Sequence, residues 1–170
     1  KTLTRNEVSV FFARCTAGIV AMEACGSAHH WGRVLKGLGH EVKLIAAQFV
    51  RPFVKTNKTD AADAEAIWEA AQRPGMRFVA LKNEEQQAVL SLHRMRAQWV
   101  KIRTMQGHQI RGLLYEFGVV VPIGWRALLT QAGPLLAEPS GCPVPELLRG
   151  ELQRQLEGLR TLTARITELE

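Results

Sequence analysis

Three carboxylates are the residues of this sequence best suited to chemistry. Glu23 lies near the end of a short apolar run, and Asp60 and Asp63, the only two aspartates, are three residues apart. Residues at that spacing share one face of a helix, with Cβ atoms about 5–6 Å apart. Like charges so placed weaken a helix slightly, whereas a divalent cation between them stabilises it. Magnesium held by carboxylates drives phosphodiester cleavage, so these acids predict a Mg²⁺ site that acts on phosphates.

A plainer interpretation of the same acids needs no metal. Acidic residues in the first turn of a helix are stabilised by the helix dipole, which accounts for Asp60 and Asp63 by itself. Glu23 is equally compatible with an exposed strand end. The residue pattern alone leaves both interpretations open.

Basic residues surround these acids and predict contact with nucleic acid. The net charge is +6 with a pI of about 9.7, a balance typical of proteins that bind phosphate backbones. Arg51, Lys55 and Lys58 stand directly before the two aspartates, where they either approach a phosphate backbone or merely offset the acids. Residues 86–115 contain no acid, although exposed helix faces usually mix charge signs. Five cations lie in that stretch: Arg94, Arg96, Lys101, Arg103 and Arg111.

The elements that position Glu23 read as an α/β unit. Residues 19–24 and 41–46 are short apolar runs typical of buried strands. Between them, residues 27–38 carry apolar side chains at helical spacing, and Ser27 is expected to cap this helix. A strand, a helix and a strand in so few residues predict two parallel strands joined by a right-handed crossover. A helix from Thr59 to just before Pro74 then carries the two aspartates.

The second half of the sequence reads as helical. Residues 84–118 lack proline and predict one long helix, or two with a break near Gly107. Residues 118–145 are rich in proline and glycine, so we expect a linker region with one short helix at 124–131. From Glu146 a helix is predicted to the end, and its apolar spacing is typical of a coiled-coil seam that mediates self-association. The seam consists of Leu152, Leu156, Leu159, Leu162, Ile166 and Leu169.

Length and composition exclude several classes of protein. A chain of 170 residues predicts one domain with at most an appendage. No apolar run reaches the roughly 18 residues of a membrane span, so no membrane partner is expected. Three cysteines without a paired spacing favour a reducing compartment such as the cytoplasm. A small-molecule α/β enzyme is disfavoured because the sequence lacks a glycine-rich phosphate loop.

Two motifs carry a resemblance to a known family. MEACGS surrounds Glu23, and KTDAADAEAI contains both aspartates. With the segments between and after them, over most of residues 5–125, the sequence closely resembles the insertion-sequence-110 family of bacterial DEDD transposases, which are related to a pilin-gene invertase.

The resemblance implies a fold, a cofactor and partners. The family has an N-terminal RuvC-like domain of the RNase H-like class, in which an Asp, a Glu and two further Asp bind Mg²⁺. By residue match, Glu23 is the glutamate and Asp60 and Asp63 are the last two aspartates. A helical coiled-coil region and a domain with a catalytic serine follow. Family members use a structured guide RNA to choose donor and target DNA, so the basic helix is expected to contact RNA or DNA and to help assemble a homo-oligomer.

The sequence departs from the family pattern at both ends. The family's first aspartate is expected on a strand upstream of Lys1, and its serine domain beyond Glu170. We therefore expect a fragment of a DNA transposase whose own catalytic competence is open, with a partly exposed sheet edge. The alternative is a non-catalytic remnant that binds nucleic acid or oligomerises. The expected organisation is a partial RuvC-like catalytic domain at 1–82, a basic helical region at 83–138, a linker at 139–145 and a coiled-coil-like helix at 146–170.

Overall fold

The computed structural model describes residues 3–54, 59–138 and 140–170. The chain divides into two compact units, Lys1–Gln87 (unit 1) and Ala88–Glu170 (unit 2). Unit 1 is mixed α/β and unit 2 is helical in its described residues, so the predicted α/β class holds for the first unit.

Unit 1 alternates helices and strands, as its apolar runs predict. Its elements, in chain order, are α1 (Glu7–Ala13), β1 (Ile19–Glu23), α2 (Ala28–Gly37), β2 (Glu41–Ile45), α3 (Ala47–Val50), a 3₁₀ turn (Arg51–Phe53), α4 (Asp60–Ala71) and β3 (Phe78–Val79). The chain then enters α5 (Glu84–Glu116), whose first turn still belongs to unit 1.

The sheet of unit 1 has the order β1-β2-β3. β1 and β2 pair in parallel with Glu23 opposite Ile45, which confirms the predicted βαβ unit. β3 adds an antiparallel neighbour to β2. Within the described residues β1 has a partner on one side only, and Ile19 is 60% exposed at its start. The predicted open sheet edge therefore runs along β1.

The core of unit 1 is small. Ile45 and Val50 pack with Ala66 and Ala70 of α4, and each of the four is almost fully buried. Because alanine has a short side chain, the backbone of α4 can lie close to the sheet. Small residues on this face of α4 therefore bring its first turn near the sheet layer that carries Glu23.

A buried histidine connects α1 with the residue that precedes β1. His40 is 5% exposed, and its Nδ1 accepts a hydrogen bond of 3.3 Å from the Gly18 N–H. Its Nε2 lies 3.0 Å from the Phe12 carbonyl oxygen. Since Nδ1 is an acceptor, the neutral ring carries its proton on Nε2 and donates to Phe12. One side chain thus forms hydrogen bonds with a backbone carbonyl of α1 and with a backbone N–H of the segment between α1 and β1.

A hydrogen-bonded turn of residues 4–7 leads into α1. The Thr4 hydroxyl and N–H donate to the Glu7 carboxylate at 2.7 and 2.8 Å. The hydrogen bond from the hydroxyl, and to a smaller extent the one from the N–H, stabilises the charged form of Glu7 and lowers its pKa.

Unit 2 is held by two long helices and a helical segment between them. After α5 come α6 (Trp125–Ala127), one π-helical turn (Leu128–Ala132), α7 (Gly133–Ala137) and α8 (Glu146–Thr167). α5 is continuous through Gly107, so the predicted break does not form. Its buried residues, Gly107, Ile110 and Leu114, all lie in its last third.

The core of unit 2 is larger and rich in leucine. α8 contributes Leu152, Leu156 and Leu159, so half of the predicted seam packs against the chain's own helices. Val144, in the predicted linker, is also buried there. The full core consists of Ile110, Leu114, Val121, Leu128, Ala132, Leu136, Val144, Leu152, Leu156 and Leu159.

Two expectations about local structure were wrong. Ser27 precedes α2, but its side chain makes no capping hydrogen bond, because its backbone (φ −107°, ψ 1°) departs from the extended geometry that caps require. Residues 125–137 form consecutive helical turns rather than one short helix, because Leu128, Ala132 and Leu136 bury their side chains in the core of unit 2. Among the described residues, no helix is long and apolar enough to cross a membrane.

Candidate functional site

Glu23 is the last residue of β1 and is half-buried. The ladder continues one step beyond it, because the Ala24 N–H donates to the Ile45 carbonyl at 2.7 Å. The Glu23 carbonyl then accepts from the Cys25 N–H at 2.8 Å, which turns the chain sharply. The carboxylate therefore sits at the carboxyl end of a parallel strand, the edge at which α/β sheets bind ligands.

Asp60 and Asp63 occupy the first turn of α4. Thr59 begins the helix as predicted: its Oγ1 accepts from the Ala62 N–H at 3.2 Å, and its carbonyl accepts from the Asp63 N–H at 2.9 Å. Asp60 is exposed and Asp63 is half-buried. The helix dipole stabilises both charges without any metal.

The three acids lie in one layer of unit 1. Ile19 and Ala21 of β1 line a groove of about 400 Å³ together with Ala64 and Ile67 of α4. Strand alternation places Glu23 on the same face of β1 as those two residues. Helical spacing likewise places Asp60 and Asp63 on the groove-facing side of α4, towards its N-terminus.

These carboxylates do not form a complete metal centre by themselves. Carboxylate oxygens are the ligands that Mg²⁺ prefers, so the donor chemistry is suitable. However, over residues 3–54, 59–138 and 140–170, no three His, Cys, Asp or Glu side chains form a group that could hold a metal ion. The cysteines add no ligand pair: Cys15, Cys25 and Cys142 are all free.

The basic residues predicted before α4 are only partly described. Arg51 begins the 3₁₀ turn after α3 and is exposed. Lys55 and Lys58 lie outside the described residues. Arg51 is therefore the member of this predicted group that the structure describes.

The five basic residues of α5 have different environments. Arg94 and Lys101 are exposed. Arg96 forms an ion pair with Glu170, which reduces its availability for a phosphate. Arg103 lies over the Trp125 ring, 5.2 Å from its centroid, and the Arg111 Nη1 donates to the Gly124 carbonyl at 3.3 Å.

The structure thus brings together a basic cluster that sequence reasoning missed in part. Arg126 also lies over the Trp125 ring, with its guanidinium 5.2 Å from the centroid. The sequence signal was the adjacent pair Trp125 and Arg126, but it lay in a segment that we interpreted as a linker. Arg103 and Arg111 were predicted to bind nucleic acid, whereas the contact of Arg103 with Trp125 and the bond of Arg111 to Gly124 were not.

Comparison with known proteins gives consistent matches. A family model for DEDD transposases of the insertion-sequence-110 type, described as transposase, matches residues 6–118. A probable family 20 transposase of Pseudomonas aeruginosa is 50% identical over 100% of this chain and 50% of its own length. A putative transposase of Sinorhizobium fredii is 43% identical over 99% of this chain and 45% of its own.

A third relative, also a transposase, aligns with a shorter part of the chain. The transposase for insertion sequence element IS1328 of Yersinia enterocolitica is 49% identical over 73% of this chain and 37% of its own length. The chain therefore spans half or less of the length of these curated relatives. No solved structure matches the chain.

Proposed function

Because the chain belongs to the insertion-sequence-110 family of DEDD transposases, we propose that it is part of an enzyme that cuts and rejoins DNA with Mg²⁺. The observation that carries this proposal is the position of Glu23 at the carboxyl end of β1, a strand that borders the same groove as α4, whose first turn holds Asp60 and Asp63. The end of β1 and the first turn of α4 lie within the two sequence motifs that carry the family resemblance. The proposed reaction takes place where the chromosome lies, in the bacterial cytoplasm.

In this proposal, Glu23, Asp60 and Asp63 hold Mg²⁺ against the phosphate to be cleaved. Magnesium is commonly held by one or two protein carboxylates together with substrate phosphates. A preformed cluster of three side chains is therefore not required before DNA binds. The metal would supply Lewis-acid stabilisation of the phosphate, and the carboxylates would position it.

We further propose a RuvC-like fold for unit 1 in the intact enzyme. The parallel pairing of β1 with β2 and the acid at the end of β1 support it. The open side of β1 suits a further strand that carries the family's first aspartate. A serine domain and a guide RNA complete the enzyme in this proposal, and the 170-residue chain is one portion of it.

The basic residues give the proposed enzyme its nucleic-acid contacts. Arg94 and Lys101 are exposed on α5, seven residues apart and hence on one face, where they can reach DNA or a structured RNA. Exposed apolar residues of the same helix, Val89, Leu92 and Met95, support self-association, because each is about half exposed.

A second candidate function is a non-catalytic module that binds nucleic acid and oligomerises. One observation favours it: no three metal-ligating side chains of the described residues form a group that could hold a metal. In this case α5 and α8 are the functional elements, and the acids of α4 serve only its stability.

The two candidates differ in the effect of neutralising one acid. In a full-length relative, Asn at the position that aligns with Asp60 is expected to lower recombination below about 1% of wild type, because a metal ligand is lost. Gln at the position of Glu65 is the matched control, since Glu65 is an exposed carboxylate on another face of α4. Recombination is measured by junction-specific amplification, and folding by circular dichroism.

Wild-type recombination by the Asp60→Asn protein would refute the proposed metal site. Equal losses in the Asp60→Asn and Glu65→Gln proteins would assign the effect to α4 stability instead. Loss at Asp60 alone, with unchanged folding and unchanged DNA binding, supports the catalytic proposal over the binding module.

A further inference from the structure

A basic pocket lies within unit 2, and its residues are far along the sequence from the acids of unit 1. It has a volume of about 220 Å³ and lies between the last half of α5 and the start of α6. Arg103, His108 and Arg111 line it from α5, and Trp125 lines it from α6. No carboxylate contributes to its lining. We call it the arginine pocket and count with it Arg126, which does not line the cavity but contacts the same tryptophan.

Trp125 holds two guanidinium groups in place. Those of Arg103 and Arg126 both lie over its ring, each 5.2 Å from the centroid. A guanidinium stacked on an aromatic ring keeps its N–H donors free in its own plane. The indole packs in turn against the core of unit 2, so these two cations are anchored to a rigid element.

Arg111 is positioned by two glycines. Its Nη1 donates to the carbonyl of Gly124 at 3.3 Å, and Gly124 has a positive φ of 115°. A Cβ built on Gly107, one turn earlier on α5, would lie 3.9 Å from both terminal nitrogens of Arg111. The guanidinium of Arg111 therefore lies beside Gly107, folded back along the helix. Only one of its five N–H donors is used by the Gly124 carbonyl.

The charges of the pocket are not balanced within unit 2. In the described part of the chain, Arg103, Arg111 and Arg126 form no ion pair with a carboxylate. Three arginines of α8 show the opposite arrangement: Arg149, Arg154 and Arg160 pair with Glu146, Glu151 and Glu157. Three preoriented cations without an acid raise one another's electrostatic energy, and an anion in the pocket would relieve it.

We propose that the arginine pocket binds a phosphate of a nucleic-acid backbone. Planar guanidiniums match the oxygens of a phosphate in bidentate geometry. Because arginines occupy the Trp125 ring, the ring serves to position cations rather than to stack on bases. The contact is therefore independent of sequence. This inference rests on the proposed function, since it names where DNA or RNA meets unit 2.

The test compares two triple variants of the 170-residue chain with the same change in net charge. The first is Arg103→Gln, Arg111→Gln and Arg126→Gln, and the control is Arg149→Gln, Arg154→Gln and Arg160→Gln. Fluorescence anisotropy measures Kd for a labelled DNA duplex and an RNA hairpin, each over about 50 to 300 mM KCl. Circular dichroism checks folding. Arg126→Gln alone is a milder variant, because Arg126 is exposed and its loss leaves the core intact.

We expect the pocket variant to bind at least about tenfold more weakly than the control at about 100 mM salt. The slope of log Kd against log[KCl] should fall by about 1 to 3, and by about 1 in Arg126→Gln. Weaker binding of only the RNA hairpin, or of only the DNA duplex, supports phosphate binding by the pocket and identifies which nucleic acid supplies the phosphate.

Equal weakening of both triple variants would overturn the proposal, because net charge alone would then explain binding. Unchanged binding of both nucleic acids by the pocket variant, or by Arg126→Gln where the triple variant does not fold, would also overturn it. Failure here is distinguishable from failure of the catalytic proposal. The Asp60→Asn variant tests recombination through unit 1, whereas this experiment measures only binding through unit 2.

Discussion

Unit 2 buries one large cluster of long apolar side chains, whereas the cluster between α4 and the sheet of unit 1 is built of fewer and shorter ones. The first contains six leucines and Ile110, and the second contains Ile45, Val50 and two alanines, while Leu35 and Leu44 are buried elsewhere in unit 1. Since hydrophobic stabilisation scales with buried apolar area, the cluster of unit 2 contributes more than the one beneath α4. The layer that carries the acids therefore relies on the close approach of α4 to the sheet. The comparison teaches that the proposed catalytic layer is held by specific contacts, each of which is individually important.

The largest expected effect tests the core of unit 2. Leu159→Ala removes a fully buried side chain and should lower the free energy of unfolding by about 2 to 5 kcal/mol, because a cavity remains. Leu147→Ala on the same helix is the control, since Leu147 is 96% exposed. Urea unfolding is followed by fluorescence of Trp99 and Trp125 in a chain with Phe at the other two tryptophans. Similar losses in both variants would show that burial of Leu159 does not stabilise unit 2, and the proposed advantage of its core would be wrong.

An intermediate effect is expected at the histidine of unit 1. His40→Ala leaves the Phe12 carbonyl and the Gly18 N–H without their partner and should cost about 1 to 3 kcal/mol. The readout is urea unfolding followed by Trp31 and Trp68 fluorescence. His30→Ala is the control, because His30 is exposed on α2 and should change stability by less than about 0.5 kcal/mol. A loss at His40 no larger than that at His30 would show that unit 1 does not depend on this contact.

The smallest effect concerns the helix that carries the aspartates. Thr59→Ala removes the acceptor for the Ala62 N–H and should destabilise α4 by about 1 kcal/mol. Thr59→Ser keeps an oxygen at the same position and should restore most of this stability. Hydrogen exchange of the first-turn amides measures the change locally. Equal protection in the Ala and Ser variants would contradict a capping role.

Sequence reasoning succeeded where a long periodic pattern specified one element. The spacing of apolar residues predicted α2, α5 and α8, and the predicted helix start at Thr59 is confirmed, since α4 begins at Asp60. The parallel pair β1 and β2 followed from the alternation of strand and helix. These features depend on neighbours in the sequence, so the sequence is enough to predict them.

The features that were missed depend on residues far apart in the chain. The antiparallel pairing of the two-residue strand β3 with β2 is specified by no local pattern. The turns at residues 125–137 are stabilised by burial against α5 and α8, which outweighs their glycine and proline content. The arginine pocket was missed for the same reason. Arg103 and Arg126 lie 23 positions apart, and only tertiary packing places both on one tryptophan.

The uneven burial of α5 has a consequence for how the chain opens. Arg33 anchors the first turn of this helix by donating to Gln87 Oε1 at 2.8 Å. Its last third is buried, but no residue from 84 to 106 is. Isolated helical segments of this length are marginally stable in water. We therefore expect residues 88–95 to be the segment of α5 with the lowest local stability, because the contacts of Gln87 with Arg33 and of Arg96 with Glu170 lie on either side of it.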